Sequence, residues 1–349
     1  MGAYEINKQL LTNEEKKELT INKQLLTNEE KKELTINKEQ QTISRKKEVF
    51  RKFVSNPIAV LGTVTLLLII IFSLIGESLT PFTASEQVKE ATNLPPSSEH
   101  WFGTDDLGRD IWARTWAGGK ISLIVGLVAA VLDIGLGVLI GGFSGYVRGR
   151  NRLGTLIDEW IVRGIEVLYG IPYLLIVILL LIIMKPGLFT IIIALALTGW
   201  IGMARLVRAQ VLSLKQREFV IAAERLGTSH MKIIYGHIIP NLTGIIIVNL
   251  SFTIPAAIFS ESFLSFIGLG VQSPAASWGT MTNDALGTLL SGEWWQLFFP
   301  SLMIALIMFA FNAIGDGLQD AIDPKIVKRN RKEKKHGTAL IFRKRNIGR

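Results

Sequence analysis

The stretch "REFVIAAERLGTSHMKIIYGHIIPN", residues 217–241, lies between two long aliphatic runs. It is too polar to cross a bilayer and too regular for a passive loop. Phe219, Ala222, Ala223 and Leu226 fall at i, i+3, i+4 and i+7, the spacing of one helix face. Gly227 then stops that helix, and Thr228 or Ser229 can cap a second. Met231, Ile234, Tyr235 and Ile238 repeat the apolar spacing, and Pro240 marks the end. The sequence thus predicts a two-helix elbow over 213–240.

The runs on either side identify the medium. Of 349 residues, 49% are hydrophobic, and they are clumped into blocks such as "LLIVILLLIIM" (174–184). Such blocks predict an all-α integral membrane protein. Six spans, each near the roughly 20 residues a bilayer needs, are expected at about 58–76, 121–146, 158–184, 188–206, 242–262 and 296–315.

Charge sets the orientation. The net charge is +9, and the excess lies beside the apolar runs, which speaks for a membrane surface and against nucleic acid. Segments 44–57, 147–157, 205–240 and 316–349 hold 25 Lys/Arg, against 5 in 77–120, 185–187 and 263–293. Both termini and the elbow are therefore expected in the cytoplasm. Residues 6–20 and 21–35 repeat "INKQLLTNEEKKELT" within a polar arm (1–43), followed by a basic segment (44–57). Fifteen residues with few apolar positions cannot bury a core, so the arm is read as a cytoplasmic extension without essential chemistry. The polar start also argues against a cleavable signal peptide. The spans and elbow occupy 58–325, and a basic tail fills 326–349.

Charges inside the spans are costly and draw attention. Asp133 sits midway along the second span without a partner in its own helix, open to a water-filled path, another subunit or protonation. Glu261, near the outer end of the fifth span, is expected within reach of solvent. These two are the candidate residues of a translocation path. Arg163 and Glu166, at i and i+3, predict an ion pair, and Pro172 and Pro255 predict kinks. In the outer segment, Asp105, Asp106, Asp110, Arg109 and Arg114 predict local salt bridges rather than catalysis.

No catalytic set emerges. "WAGGKIS" (116–122) fails as a phosphate loop, because Arg114 stands where the first glycine belongs and Ile121 follows the lysine. With no cysteine and four histidines, disulfides and thiolate metal sites are excluded, and no metal-ligand spacing appears. The chain is expected to be neither an ATPase nor any other enzyme.

"AAERLGTSHMKIIYGHIIPN" resembles the cytoplasmic signature of ABC-importer permeases, with Ala222, Ala223, Gly227 and Pro240 matching. Ile221 stands where that signature opens with Glu. "FGTDDLGRDIWARTWAGGKISL", "GWIGMARLVRAQVLSLKQREFV", "ESFLSFIGLGVQSPAASWG" and "GDGLQDAIDPK" look like the second permease subunit of oligopeptide and dipeptide importers. The resemblance covers roughly 45–325 and implies a type I importer permease fold in a bacterial cytoplasmic membrane. It makes the elbow a coupling helix seated on an ATPase, through Phe219, Ala222, Ala223, Leu226, Gly227, His237 and Pro240. It also implies a homologous second permease, two ATPase subunits that bind ATP and magnesium, and an extracytoplasmic substrate-binding protein. This chain itself is expected to hold no cofactor. Nickel chelates or another small solute are alternative cargoes, and an ion-gradient-driven secondary transporter is the alternative class.

Overall fold

The computed structural model describes residues 47–272 and 274–322, which are helical apart from loops and one isolated bridge between Thr104 and Asp110. The repeated arm and the basic tail lie outside the described residues. Residues 47–54 form a short helix carrying a Lys52–Glu48 ion pair of 3.3 Å.

Helix α1 (Pro57–Ile75) begins where Asn56 Oδ1 accepts the N–H groups of Ile58 and Ala59. Proline at the first helical position forfeits no hydrogen bond there. Its Leu61, Leu67 and Ile71 are exposed, as a lipid-facing surface requires.

Helix α2 (Ile111–Val147) starts ten residues before the span expected at 121. Asp110 explains the early start, since its Oδ1 caps the Ala113 N–H at 2.8 Å. At 37 residues the helix is about 55 Å long, well beyond a hydrocarbon core of roughly 30 Å. It is the central helix of the bundle.

The expected third span, 158–184, is not one helix. It is α3 (Arg152–Gly170) and α4 (Tyr173–Met184), bent by 84° at Ile171 and Pro172. Proline disfavours the helical region for the residue before it, and Ile171 is extended at φ −83°, ψ 124°. Alone, the 12 residues of α4 are too few to span. Among the described residues, five helices are thus long and apolar enough to cross, or six if the bent pair counts as one.

Helices α5 (Leu188–Thr198) and α6 (Trp200–Leu214) join almost in line through Gly199, which keeps helical angles, so the span runs past its expected end at 206. Three glycines of α2 lie four residues apart on the face that meets α6. A Cβ on Gly141 would come within 2.3 Å of the Ala204 carbonyl oxygen, so only glycine permits this approach.

The elbow comprises α7 (Glu218–Arg225) and α8 (His230–Ile233). Pro240 does not end it. A π-turn (Ile234–Ile238) carries α8 directly into α9 (Ile239–Phe266), with Pro240 in the first turn. Pro240 has no N–H to give the preceding turn, and Ile239 N–H bonds back five residues to the Ile234 carbonyl. Helix α9 continues through Pro255, and the bundle closes with α10 (Trp278–Asp284) and α11 (Trp294–Ile322).

Candidate functional site

The elbow is packed against the spans. Helix α7 ends in a Schellman motif, with Thr228 N–H on the Ala223 carbonyl at 3.1 Å and Gly227 N–H on that of Glu224 at 3.0 Å. Gly227 takes φ +75°, a left-handed angle that glycine adopts freely. The inward face is Val220 with Ala223, which pack on Ile233, Ile234, Ile238 and Leu242 and on Tyr146, Met203, Val207 and Val211 of the spans.

This corrects the expected docking face. Ala223 is 8% exposed and belongs to the chain's own core, whereas Phe219 is 42% and Leu226 85% exposed. Ala222 and Gly227 are exposed too, and Met231 and Tyr235 extend the apolar outer surface. Four apolar residues at helical spacing marked a face, but the pair that meets the spans is Val220 and Ala223, three apart. His237 is half-buried, its carbonyl taking the Asn241 amide at 2.6 Å, and Pro240 is exposed.

Polar contacts tie the elbow to the end of α2 and the turn after it. Glu224 accepts from the Arg150 guanidinium at 2.9 Å and from the Tyr146 hydroxyl at 3.3 Å, and that hydroxyl meets His230 Nδ1 at 3.2 Å. Nearby, Asp158 is fully buried, yet it accepts two bonds from Arg208, at 2.6 and 2.7 Å, with further donors on Arg148 and Ser144. Lys215 closes the cluster on the Gly145 and Arg148 carbonyls, and burial pushes its pKa down. Sequence reading missed Asp158, whose principal partner stands 50 residues away.

Within the spans, Asp133 lines a cavity of about 620 Å³ formed by α2, α3, α4, α5, α6 and α9. Its carboxylate lies against the bare backbone of Gly199, and its Oδ1 has no hydrogen-bond partner. Glu261 does not join it. It is 0% exposed and accepts from Ser122 at 3.0 Å and Ser265 at 2.8 Å, so the expected contact with solvent is absent. Nor do Arg163 and Glu166 form the expected ion pair, since the Arg163 guanidinium sits 5.8 Å over the Trp160 ring.

The loop charges form salt bridges, as expected, but they also reach a distant element. Arg109 bonds Asp105 at 2.7 Å, Arg114 bonds Asp105, and both arginines reach Asp284 of α10, at 3.2 and 2.9 Å. Burial, then the Asp105 charge, raises the pKa of Asp106. No cluster of three metal-ligating side chains occurs among the described residues.

Among the described residues, apolar helices with a polar elbow between two of them make a multi-pass helical membrane bundle. Residues 137–328 match the model of the binding-protein-dependent transport system inner membrane component, and residues 44–96 that of the N-terminal TM domain of oligopeptide transport permease C. The dipeptide transport system permease protein DppC of Bacillus subtilis is 53% identical over 277 residues, 79% of this chain and 85% of that protein. The oligopeptide transport system permease protein OppC of the same organism is 47% identical, covering 79% and 88%, and OppC of Escherichia coli K12 is 39% identical, covering 79% and 89%. Among solved structures, a chain of the inward-facing MetNI methionine ABC transporter aligns at 16% identity and a TM-score of 0.42, covering 58% of this chain and 94% of that one. The chain belongs to the binding-protein-dependent transport system inner membrane component family, the ABC-importer permeases, and within it to the DppC/OppC group. It is a non-catalytic permease subunit.

Proposed function

We propose that this chain is one of two pore subunits of an ATP-driven importer of dipeptides or oligopeptides in a bacterial cytoplasmic membrane. A homologous permease completes the pore, and an extracytoplasmic binding protein delivers the peptide. Two cytoplasmic ATPases bind ATP with magnesium and supply the energy. Both termini lie in the cytoplasm with the elbow, in keeping with the 25-to-5 charge asymmetry.

The observation that carries this reading is the outer face of the elbow. Phe219, Leu226, Met231 and Tyr235 are large, apolar and exposed on a piece too polar to enter lipid. Exposed apolar surface of this kind is what a protein partner covers. Ala222 permits close approach, Gly227 sets the turn, and His237 and Pro240 flank the attachment to α9. Ala223 serves the lever from inside. Closure of two ATPases around ATP would press on such elbows and rock the attached spans.

The test is uptake by the purified complex in proteoliposomes with a peptide-loaded binding protein. ATP inside the assembly should drive accumulation, and collapsing ion gradients should leave it unchanged. Uptake that follows an ion gradient and ignores ATP would refute the proposal.

A further inference from the structure

The geometry points to a binding subsite for the α-ammonium group of the peptide in transit, formed by the unpartnered carboxylate of Asp133 and the hydroxyl of Tyr173 in the cavity between α2, α3, α4, α5, α6 and α9. This rests on the peptide-import reading above and assigns one end of the substrate to named atoms.

Asp133 is 5% exposed, and its Oδ1 is buried without a donor. The neighbouring hydroxyls do not supply one. Thr198, Thr253 and Ser260, which also line the cavity, each donate to a carbonyl one turn back in their own helix. Among the described residues, no lysine or arginine lines the cavity. The Arg205 guanidinium is engaged 4.4 Å over the ring of Tyr169, a residue of the cavity wall. A second orphan is the buried hydroxyl of Tyr173, a residue that also lines the cavity. A polar group left unpaired inside a protein is costly, so two in one cavity mark a place where something else is bound.

The rest of the wall selects a cation. Helix α3 breaks at Gly170, and its last turn, Leu168 to Gly170, borders the cavity. Those terminal carbonyls carry the negative end of the helix dipole. A carboxylate, a phenol oxygen and helix-end carbonyls match the three N–H donors of a primary ammonium. A divalent cation is usually held by several carboxylates, and among the described residues this wall offers one. The volume of about 620 Å³ is in the range of small-ligand sites and leaves room for side chains beyond the ammonium.

The experiment compares trialanine with N-acetyl-trialanine, each loading the binding protein to the same extent, in proteoliposomes of the whole complex. Wild type should import the free peptide at least about tenfold faster. Asp133→Asn should lower uptake of the free peptide to the acetylated rate while ATP hydrolysis stays stimulated by loaded binding protein. Asp133→Glu should restore part of the preference, and Tyr173→Phe should weaken it several-fold. An unchanged preference in Asp133→Asn overturns the proposal. So does equal loss of both substrates together with complex assembly, which would make Asp133 a structural partner of the second permease. A wild-type complex that imports neither peptide contradicts the peptide-import reading itself.

Discussion

Asp158 shows how much one buried residue can hold together at the cytoplasmic side. Its carboxylate is fully buried and satisfied by Arg208, Arg148 and Ser144, which ties α2, α3 and α6 into one unit. Arg208→Met removes the two-toothed partner and leaves a buried carboxylate short of donors, a loss of about 3–5 kcal/mol. Arg148 has a half-exposed side chain, so Arg148→Met should cost well under half as much. Thermal unfolding of the purified variants checks the order, and equal losses would contradict it. Asp133 was legible in the sequence because a charge interrupts an apolar run. The Asp158 network was not, since its register depends on how α6 packs on α2. Glu261 was misjudged for the same reason, because Ser122, 139 residues away, is what seals it from water.

The elbow is where local signals placed the turn but not the inward pair, Val220 and Ala223. Gly227 announced the stop of α7, and it stands at φ +75° with nothing within 4 Å of a built Cβ. Gly227→Val therefore meets no clash, only the left-handed backbone, at a cost on the order of 1–2 kcal/mol. That variant should insert normally and lower the thermal midpoint modestly, while ATP-driven uptake falls several-fold. Full uptake would show that the turn does not set the lever. Apolar spacing alone could not tell Val220 and Ala223, which meet the spans, from Phe219 and Leu226, which do not. Pro240 misled in the other direction, because a proline that breaks a helix interior is accommodated in a first turn once a π-turn precedes it. Pro172 and Pro255 carried the same expectation of a kink. The first breaks the chain by 84°, while the second sits inside one continuous helix.

At the scale of the molecule, clustered hydrophobicity was enough to read a helical membrane bundle, and the ordered motifs were enough to read its family. Pro172 announced the bend between α3 and α4, but the cavity they border was not legible, because it depends on which helices converge. Under the proposed function the bundle has two working parts, a cavity among the spans and an elbow outside them. The Glu224 contacts and the core under Val220 join the lever to α2 and α6. We propose that the exposed face of the elbow receives the ATPase. Leu226→Asp with Met231→Asp places two charges on that face without touching the buried side. Desolvating them against a partner should weaken the contact by at least tenfold. The direct measurement is the amount of ATPase subunit that copurifies with the tagged double variant from detergent-solubilised membranes. The predicted result is loss of the ATPases with the second permease still bound. Stoichiometric ATPase on the double variant, together with wild-type uptake, would contradict the account.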